Sequence, residues 1–250
     1  MEIDYSTYLD VCKLATGNDN VFKTFRRHPS CTGMLEHVTY QQGIGYLEYI
    51  KNNAPYFLEL MDGFVRNDRI GNPLTFWYED INMNISPTTL RYIKVLVDLV
   101  DNFEMLTGLD IVEIGCGYGG QCAIIHDYAQ PKSYTLFDLP GVLTLSEKFL
   151  KERGVDLVIL KTPDEKSDRD YDLCISNYAF TEFSREYQNL YVENVISRSE
   201  MGYITCNYFG QREDSGAMSK DEVMALKPNH KVILEIPLTA PNNLIYTWQK

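Results

Sequence analysis

The second half of the chain repeats a pattern of short apolar runs separated by longer amphipathic stretches. The runs are IVEIG, SYTLFDL, DLVILKT, YDLCISN, GYITCNYF, KVILEIP and LIYTW, and the first begins at Ile111. Short runs rich in β-branched and aromatic residues predict strands, and helical connectors between them predict a parallel sheet. Only LTAPNN, residues 238–243, separates the last two runs. That spacing is too short for a helical crossover, so the pattern predicts an α/β fold with seven mostly parallel strands and a C-terminal antiparallel hairpin.

A long helix is predicted immediately before the first of these strands, in the segment SPTTLRYIKVLVDLVDNFEMLTG. Ser86 suits the N-cap, Pro87 the first helical position and Gly108 the position just past the end. The apolar spacing between these residues continues for several turns. One helix is therefore expected to lead into the sheet.

The pattern changes near residue 85. Upstream of it, shorter helical stretches at residues 6–16 and 19–27 alternate with loops, and the segment at residues 67–80 is turn-rich and aromatic. We therefore predict a mostly helical N-terminal cap over residues 1–85 that contacts the substrate, followed by a ligand-binding domain over residues 86–250.

The first predicted strand ends in a glycine-rich turn, IVEIGCGYGG. Such a turn brings backbone N–H groups close to a ligand, and the positive end of the helix that starts near Gly119 points to the same place. Two patterns fit the turn. Gly115, Gly117 and Gly120 match the G-x-G-x-x-G pattern of dinucleotide-binding proteins, whereas Glu113, Gly115 and Gly117 match E-x-G-x-G.

Glu113 favours the second pattern. A dinucleotide fold needs an apolar residue two places before the first glycine, and a buried carboxylate there is costly unless it is paired. An acidic residue, any residue and then G-x-G resemble the first motif of the class I S-adenosylmethionine-dependent methyltransferases. The predicted strands and hairpin are similar to the Rossmann-like sheet of that family. An NAD-dependent oxidoreductase and a non-catalytic module of the same fold are the alternative hypotheses.

The resemblance implies S-adenosylmethionine as cofactor and assigns contacts to it. Asp138, at the end of the second strand, is expected to accept both ribose hydroxyls, although this position suits NAD equally. Thr162 and Asp164 follow the third strand, where the family contacts adenine, and Asn177 follows the fourth, beside the reacting methyl. Arg91 is expected to hold the cofactor carboxylate or a substrate phosphate. The expected cofactor-binding set is Glu113, Gly115, Gly117, Gly119, Asp138, Thr162, Asp164, Asn177 and Arg91.

Four segments resemble a narrower family, the sugar O-methyltransferases. They are SPTTLRY, VEIGCGYGGQC, YTLFDLP and SNYAFTE, between Ser86 and Glu182, and a weaker ND-x-x-G-x-P pattern begins upstream at Asn67. Cys116 departs from the family, in which glycine is more common at this position. The resemblance implies transfer of a methyl group to a hydroxyl of a sugar, a nucleotide sugar or a glycan precursor. Another small-molecule hydroxyl or an amine is the alternative acceptor.

A sugar hydroxyl is a poor nucleophile, so a general base is expected. His37, next to Glu36 in the region expected to cap the site, is one candidate. Glu182 is the second, because it follows the fourth strand closely. Adjacent acidic residues such as Glu79 and Asp80 fall in loops or helix starts, where adjacency is common, and we expect no metal ion in the reaction.

Composition and charge limit the partners. The formal net charge of −12 disfavours binding to DNA, RNA or anionic lipid. The sequence lacks an apolar leader and any long apolar run, and its six cysteines form no C-x-x-C pair. We therefore expect a soluble, cytoplasmic enzyme with reduced thiols and a small sugar or nucleotide-sugar substrate, of undefined oligomeric state.

Overall fold

The structure, a computed structural model, describes residues 5–156, 158–208 and 216–249. These described residues form two compact units. The helical unit comprises residues 5–104, Gly117–Ala129 and Pro140–Asp156, and the sheet unit comprises Met105–Cys116, Gln130–Leu139 and the described residues from 158 onward. The helical unit thus draws on chain segments from both sides of residue 85, and the role of residues 1–85 as a cap stays a prediction.

Helices dominate the helical unit. They are α1 (Tyr5–Gly17), α2 (Asp19–Phe22), α3 (Pro29–Met34), α4 (Tyr40–Asn53), α5 (Met61–Phe64), α6 (Pro87–Phe103), α7 (Gly120–Tyr128) and α8 (Pro140–Arg153). Helix α1 packs against α8, and α4 packs against α6. A feature absent from the sequence prediction is a two-stranded antiparallel ribbon of β1 (Phe76–Tyr78) and β2 (Met83–Ile85), in the aromatic segment before α6.

Helix α6 confirms the predicted start and corrects the predicted end. Ser86 caps its first turn and Pro87 is its first residue, as expected. The helix stops at Phe103, because Glu104 adopts a left-handed conformation with φ 59° while its N–H still bonds to the helix. Gly108, also left-handed, forms the turn before the sheet instead and donates its N–H to the carbonyl of Gln130 at 2.8 Å.

All of the predicted strands occur in the sheet unit. They are β3 (Asp110–Ile114), β4 (Ser133–Phe137), β5 (Val158–Lys161), β6 (Tyr171–Asn177), β7 (Ser199–Cys206), β8 (His230–Leu234) and β9 (Leu244–Trp248). Their order across the sheet is β5-β4-β3-β6-β7-β9-β8, and β3 to β7 pair in parallel. The described part of the chain therefore contains a Rossmann-like, mostly parallel sheet with a C-terminal antiparallel pair. Leu157 and Phe209, at the ends of two predicted strands, lie outside the described residues.

The last strand does not form the edge of the sheet. Strand β9 inserts between β7 and β8 and runs antiparallel to both. Every residue of LIYTW in β9 is buried, as expected for a central strand, whereas Val232 and Leu234 of β8 are largely exposed. The continuous apolar strand β9 therefore occupies the covered position, and β8, which contains Lys231, forms the edge of the sheet.

One face of the sheet carries the core of the sheet unit. Helices α9 (Arg185–Asn194) and α10 (Lys220–Met224) complete this unit. Val112, Phe137, Tyr191 and Tyr246 belong to one buried apolar cluster, which therefore includes side chains of β3, β4, α9 and β9. Among the described residues, no helix is both long and apolar enough to cross a membrane.

Candidate active site

The candidate site lies at the carboxyl ends of the parallel strands in the sheet unit. Strands β4 and β5 lie on one side of β3, and β6 lies on the other, so the strand order reverses beside β3. Ligands of open α/β sheets bind in the crevice at such a reversal. The segments that follow β3 and β6 meet at this point. A Cβ added to Gly115 would lie only 2.2 Å from the Cβ of Ala179.

The glycine turn has the backbone that its sequence requires. Gly115, Gly117 and Gly119 all adopt left-handed conformations, with φ of 73°, 55° and 86°. Side chains are disfavoured in that region, so the backbone conformation by itself explains why glycine occupies these three positions. Within the helical unit, Leu35 reaches to 3.2 Å from the position of a Cβ on Gly117, and Gly119 caps α7.

Glu113 is buried in β3 directly ahead of the turn. Its side chain is only 2% exposed, and Oε2 accepts a hydrogen bond from the phenol of Tyr134 at 2.9 Å. Burial raises the pKa of Glu113 to about 8, and the charge of Asp138 contributes in the same direction. Glu113 is thus a largely protonated carboxylic acid near neutral pH, paired with a phenol beneath the strand ends.

Asp138 follows β4 and is half-buried at the same edge of the sheet. Its Oδ1 accepts the backbone N–H of Leu139 at 2.8 Å. Burial and then the Asp138 charge raise the pKa of Tyr191, so this carboxylate is close to both Tyr191 and Glu113. The structure therefore brings Asp138 together with Glu113, as expected for two residues at neighbouring strand ends.

The residues after β5 form a turn that is closed on itself. The N–H and hydroxyl of Thr162 both donate to Oε2 of Glu165, at 2.6 and 2.8 Å. Asp164 is exposed, and a hydrogen bond with the Thr162 side chain lowers its pKa. No pattern in the sequence indicates this pairing, in which the Thr162 hydroxyl donates its proton to Glu165.

The end of β6 and the segment after it carry the polar side chains of Asn177, Tyr178 and Glu182. Asn177 is half-buried, and its Oδ1 accepts a hydrogen bond from the Thr205 hydroxyl at 3.5 Å. Tyr178 is a non-glycine residue with φ 65°. Glu182 is exposed and accepts a hydrogen bond from the Asn207 amide at 2.6 Å; desolvation raises its pKa. Glu182 lies in the 3-10 turn Phe180–Glu182 that follows β6, and a carboxylate of raised pKa is suited to act as a general base.

Two predicted site residues, Arg91 and His37, belong to the helical unit. Arg91 on α6 is buried and donates from Nη2 to the carbonyl of Leu35 at 3.2 Å. His37 lies two residues further along that loop and is exposed; desolvation and then the Arg91 charge lower its pKa. His37 is consequently uncharged near neutral pH, the state in which an imidazole accepts a proton.

A buried ionic network includes Glu36 of this loop, and no sequence pattern indicated it. The Arg26 side chain is fully buried and binds Glu36 at 2.7 Å and Asp68 at 3.2 Å. Tyr118, the residue after Gly117, donates its hydroxyl to Glu36 at 3.0 Å, and its ring lies 4.9 Å from the Arg26 guanidinium carbon. Burial alone would lower the pKa of Arg26, but the two carboxylates raise it. The network fixes Glu36 between the glycine turn and the His37 loop.

The ND-x-x-G pattern is explained by the same network. Asp68 accepts the N–H of Ser86 at 2.6 Å, at the start of α6, and Asn67 donates its amide to the carbonyl of Gly120 at 3.0 Å. Gly71 is left-handed, with φ 76°, and a Cβ there would lie 2.8 Å from Arg26. The polar residues and the glycine of this pattern thus surround Arg26, but their spacing in the sequence does not identify Arg26 as their partner.

The described residues contain neither a cluster of metal ligands nor a disulfide. No group of three or more His, Cys, Asp or Glu side chains within residues 5–156, 158–208 and 216–249 is placed to hold a metal ion. All six cysteines lie in those ranges, where they are buried and form no disulfide.

Several solved structures are similar to part of this chain, all with TM-scores below 0.5. No family model matches the sequence, and no curated protein matches it. An rRNA methylase from Streptococcus thermophilus is 19% identical, over 64% of this chain and 96% of its own, with a TM-score of 0.46. The N-methyltransferase NodS from Bradyrhizobium japonicum WM9 is 11% identical, over 64% and 94% of the two chains, with a TM-score of 0.48.

A third solved structure is an S-adenosylmethionine-dependent methyltransferase from Clostridium acetobutylicum ATCC 824. It is 9% identical, over 62% of this chain and 88% of its own, with a TM-score of 0.47. At identities this low, the activities and substrates of those proteins are not evidence for the activity or substrate of this chain.

Proposed function

We propose that the protein is an S-adenosylmethionine-dependent O-methyltransferase that methylates a hydroxyl of a sugar, a nucleotide sugar or a glycan precursor. The observation that carries the proposal is Glu113, which is buried and hydrogen-bonded directly ahead of the glycine turn. A dinucleotide fold places an apolar residue there, and a buried acid is costly unless it is paired. This chain keeps the acid and supplies Tyr134 as its partner.

The cofactor site that we propose is the carboxyl edge of the sheet, at the reversal beside β3. The half-buried Asp138 carboxylate would accept the ribose hydroxyls, and the glycine turn would present backbone N–H groups to the ligand. When bound, the cofactor supplies an activated methyl group. The proposed set is Glu113, Gly115, Gly117, Gly119, Asp138, Thr162, Asp164, Asn177 and Arg91.

Glu182 is the base that we propose first for the acceptor hydroxyl. It follows β6 at the proposed site. Its pKa is raised, so it lies closer to the working pH than the pKa of an ordinary carboxylate does. His37 is the second candidate, because its lowered pKa keeps it uncharged. Alignment of donor and acceptor would supply roughly 7 to 11 kcal/mol of the barrier reduction, and a base typically adds about 10² to 10⁴-fold.

Mass spectrometry of a panel of nucleotide sugars, incubated with the protein and S-adenosylmethionine, tests the proposal. The expected result is a product in which one methyl group replaces one hydrogen of the sugar. Glu182→Gln should lower its rate of formation and remove a rising limb from the pH profile, while the matched exposed variant Glu193→Gln should not. Methylation of amines alone, or of no compound, would contradict the sugar assignment.

An NAD-dependent oxidoreductase is the second candidate function, on the strength of the G-x-G-x-x-G reading of the same turn. A ligand that binds the folded state raises the unfolding temperature. Thermal shifts with NAD and with S-adenosylhomocysteine therefore separate the two functions, and we expect a shift with S-adenosylhomocysteine alone.

A further inference from the structure

Tyr178 occupies a strained position beside the glycine turn. It is a non-glycine residue with φ 65°, a conformation that costs of order 1 kcal/mol or more and persists only where the surroundings impose it. Its N–H bonds to the carbonyl of Thr205 at 2.9 Å, on the neighbouring strand β7. The next residue, Ala179, backs against Gly115. The strain therefore falls between the end of β6 and the proposed cofactor site.

The phenol of Tyr178 is held by a carboxylate that is distant in sequence. Tyr178 donates its hydroxyl to Oε1 of Glu235, which lies just after β8 and is only 4% exposed. Glu235 also accepts the N–H of Thr239 at 2.9 Å and its hydroxyl at 2.8 Å. Asn243 in turn donates to the Thr239 hydroxyl at 3.1 Å. The connection between β8 and β9, residues 235–243 and here named the hairpin loop, is thereby anchored to Tyr178.

This arrangement fixes the hydrogen-bonding character of the phenol oxygen. A phenol has one proton to donate, and in Tyr178 that proton points to Glu235. The oxygen can then only accept from a further group. An acceptor-only oxygen discriminates in favour of ligands that present a donor, such as a hydroxyl, and against ligands that lack one.

We infer that Tyr178 determines acceptor specificity by accepting a hydrogen bond from a hydroxyl that neighbours the methylated one, with Glu235 as the residue that positions its phenol. The inference rests on the proposed methyl transfer and deepens it. The acceptor class that it selects is a compound with adjacent hydroxyls. The hairpin loop thus becomes part of acceptor recognition, since it carries the carboxylate that orients Tyr178.

Steady-state kinetics with defined probes test this role. The probes are UDP-glucose, GDP-mannose and dTDP-glucose, each with its monodeoxy analogues, and the variants are Tyr178→Phe and Glu235→Gln. Wild type should methylate at least one probe and discriminate against one of its deoxy analogues. Tyr178→Phe should lower kcat/KM for the full probe about 10- to 100-fold, and the penalty for that deoxy analogue should vanish. Glu235→Gln should act in the same direction, more weakly.

Controls separate recognition from folding. Tyr187→Phe, at an exposed tyrosine of α9, should leave every rate unchanged. The affinity of each variant for S-adenosylhomocysteine should equal that of wild type. Retained discrimination in Tyr178→Phe, or a loss of cofactor affinity as large as the loss of kcat/KM, would overturn the inference.

The failure of the proposed function gives a different result. In that case wild type itself would not bind S-adenosylhomocysteine. If wild type binds it but methylates none of the hydroxylated probes, the inference about Tyr178 is overturned together with the acceptor class.

Discussion

Replacing Glu113 by glutamine should change how the stability of the protein depends on pH. Glu113 is 2% exposed, and its side chain accepts a hydrogen bond from Tyr134 at 2.9 Å. Burial raises its pKa from 4.5 to about 8. Glutamine keeps the size and the hydrogen-bond acceptor of the side chain but has no proton to lose, so the variant isolates the titration.

The sign of the effect follows from the proton count. Between pH 4.5 and about pH 8 the folded protein keeps the Glu113 proton, whereas the unfolded chain has lost it. The folded state therefore binds more protons, and its stability falls as the pH rises through this window. At about 1.4 kcal/mol for each pH unit, the loss is at most about 5 kcal/mol. Glu113→Gln should escape this loss.

Urea denaturation of wild type and Glu113→Gln at several values between about pH 5 and about pH 9 measures the effect. The difference in unfolding free energy should move by about 3 to 5 kcal/mol in favour of the variant as the pH rises. Glu193→Gln, at an exposed glutamate of α9, should give a nearly constant difference. A constant difference for Glu113→Gln as well would refute the claim that this acid is buried and protonated.

Two further predictions concern the packing around the site. Gly115→Ala should destabilise the protein by more than about 1 to 2 kcal/mol, because the backbone there is left-handed and the added Cβ would collide with the segment after β6. Gly33→Ala, in helix α3, should be neutral or slightly stabilising, because no atom lies within 4 Å of the added Cβ. Arg26→Met should cost about 3 to 5 kcal/mol, since it leaves buried carboxylates unpaired, whereas Arg198→Met at an exposed ion pair should cost about 1 kcal/mol or less. Denaturation curves check both pairs, and equal costs within either pair would contradict the structure.

The strands and the glycine turn were predictable because their signals are local. Each apolar run of the sheet is bounded by turn residues, and the left-handed glycines after β3 stand in a single stretch of sequence. The end of α6 was less predictable. Glu104 adopts a left-handed conformation that its residue type does not favour, and it ends the helix four residues before the expected Gly108. The position of β9 between β7 and β8 depends on which strand is better covered, which adjacency in sequence does not determine.

The polar networks were not predictable, because each joins residues that are far apart in the chain. Arg26 pairs with Asp68 across more than 40 positions, and Tyr178 pairs with Glu235 across 57. Local pattern gives the residue types but not the partners. Arg26 also has a buried Nη2 without a hydrogen-bond partner among the described residues. The resulting desolvation cost cannot be predicted from a sequence pattern.

Calorimetric titration of the protein with S-adenosylhomocysteine and with NADH tests the central claim most directly. The account predicts that S-adenosylhomocysteine binds and NADH does not. It also predicts that Asp138→Ala weakens the binding roughly 10- to 100-fold, because hydrogen bonds from the ribose hydroxyls to a carboxylate are lost. Binding of NADH without S-adenosylhomocysteine, or an unchanged affinity in a folded Asp138→Ala variant, would contradict it.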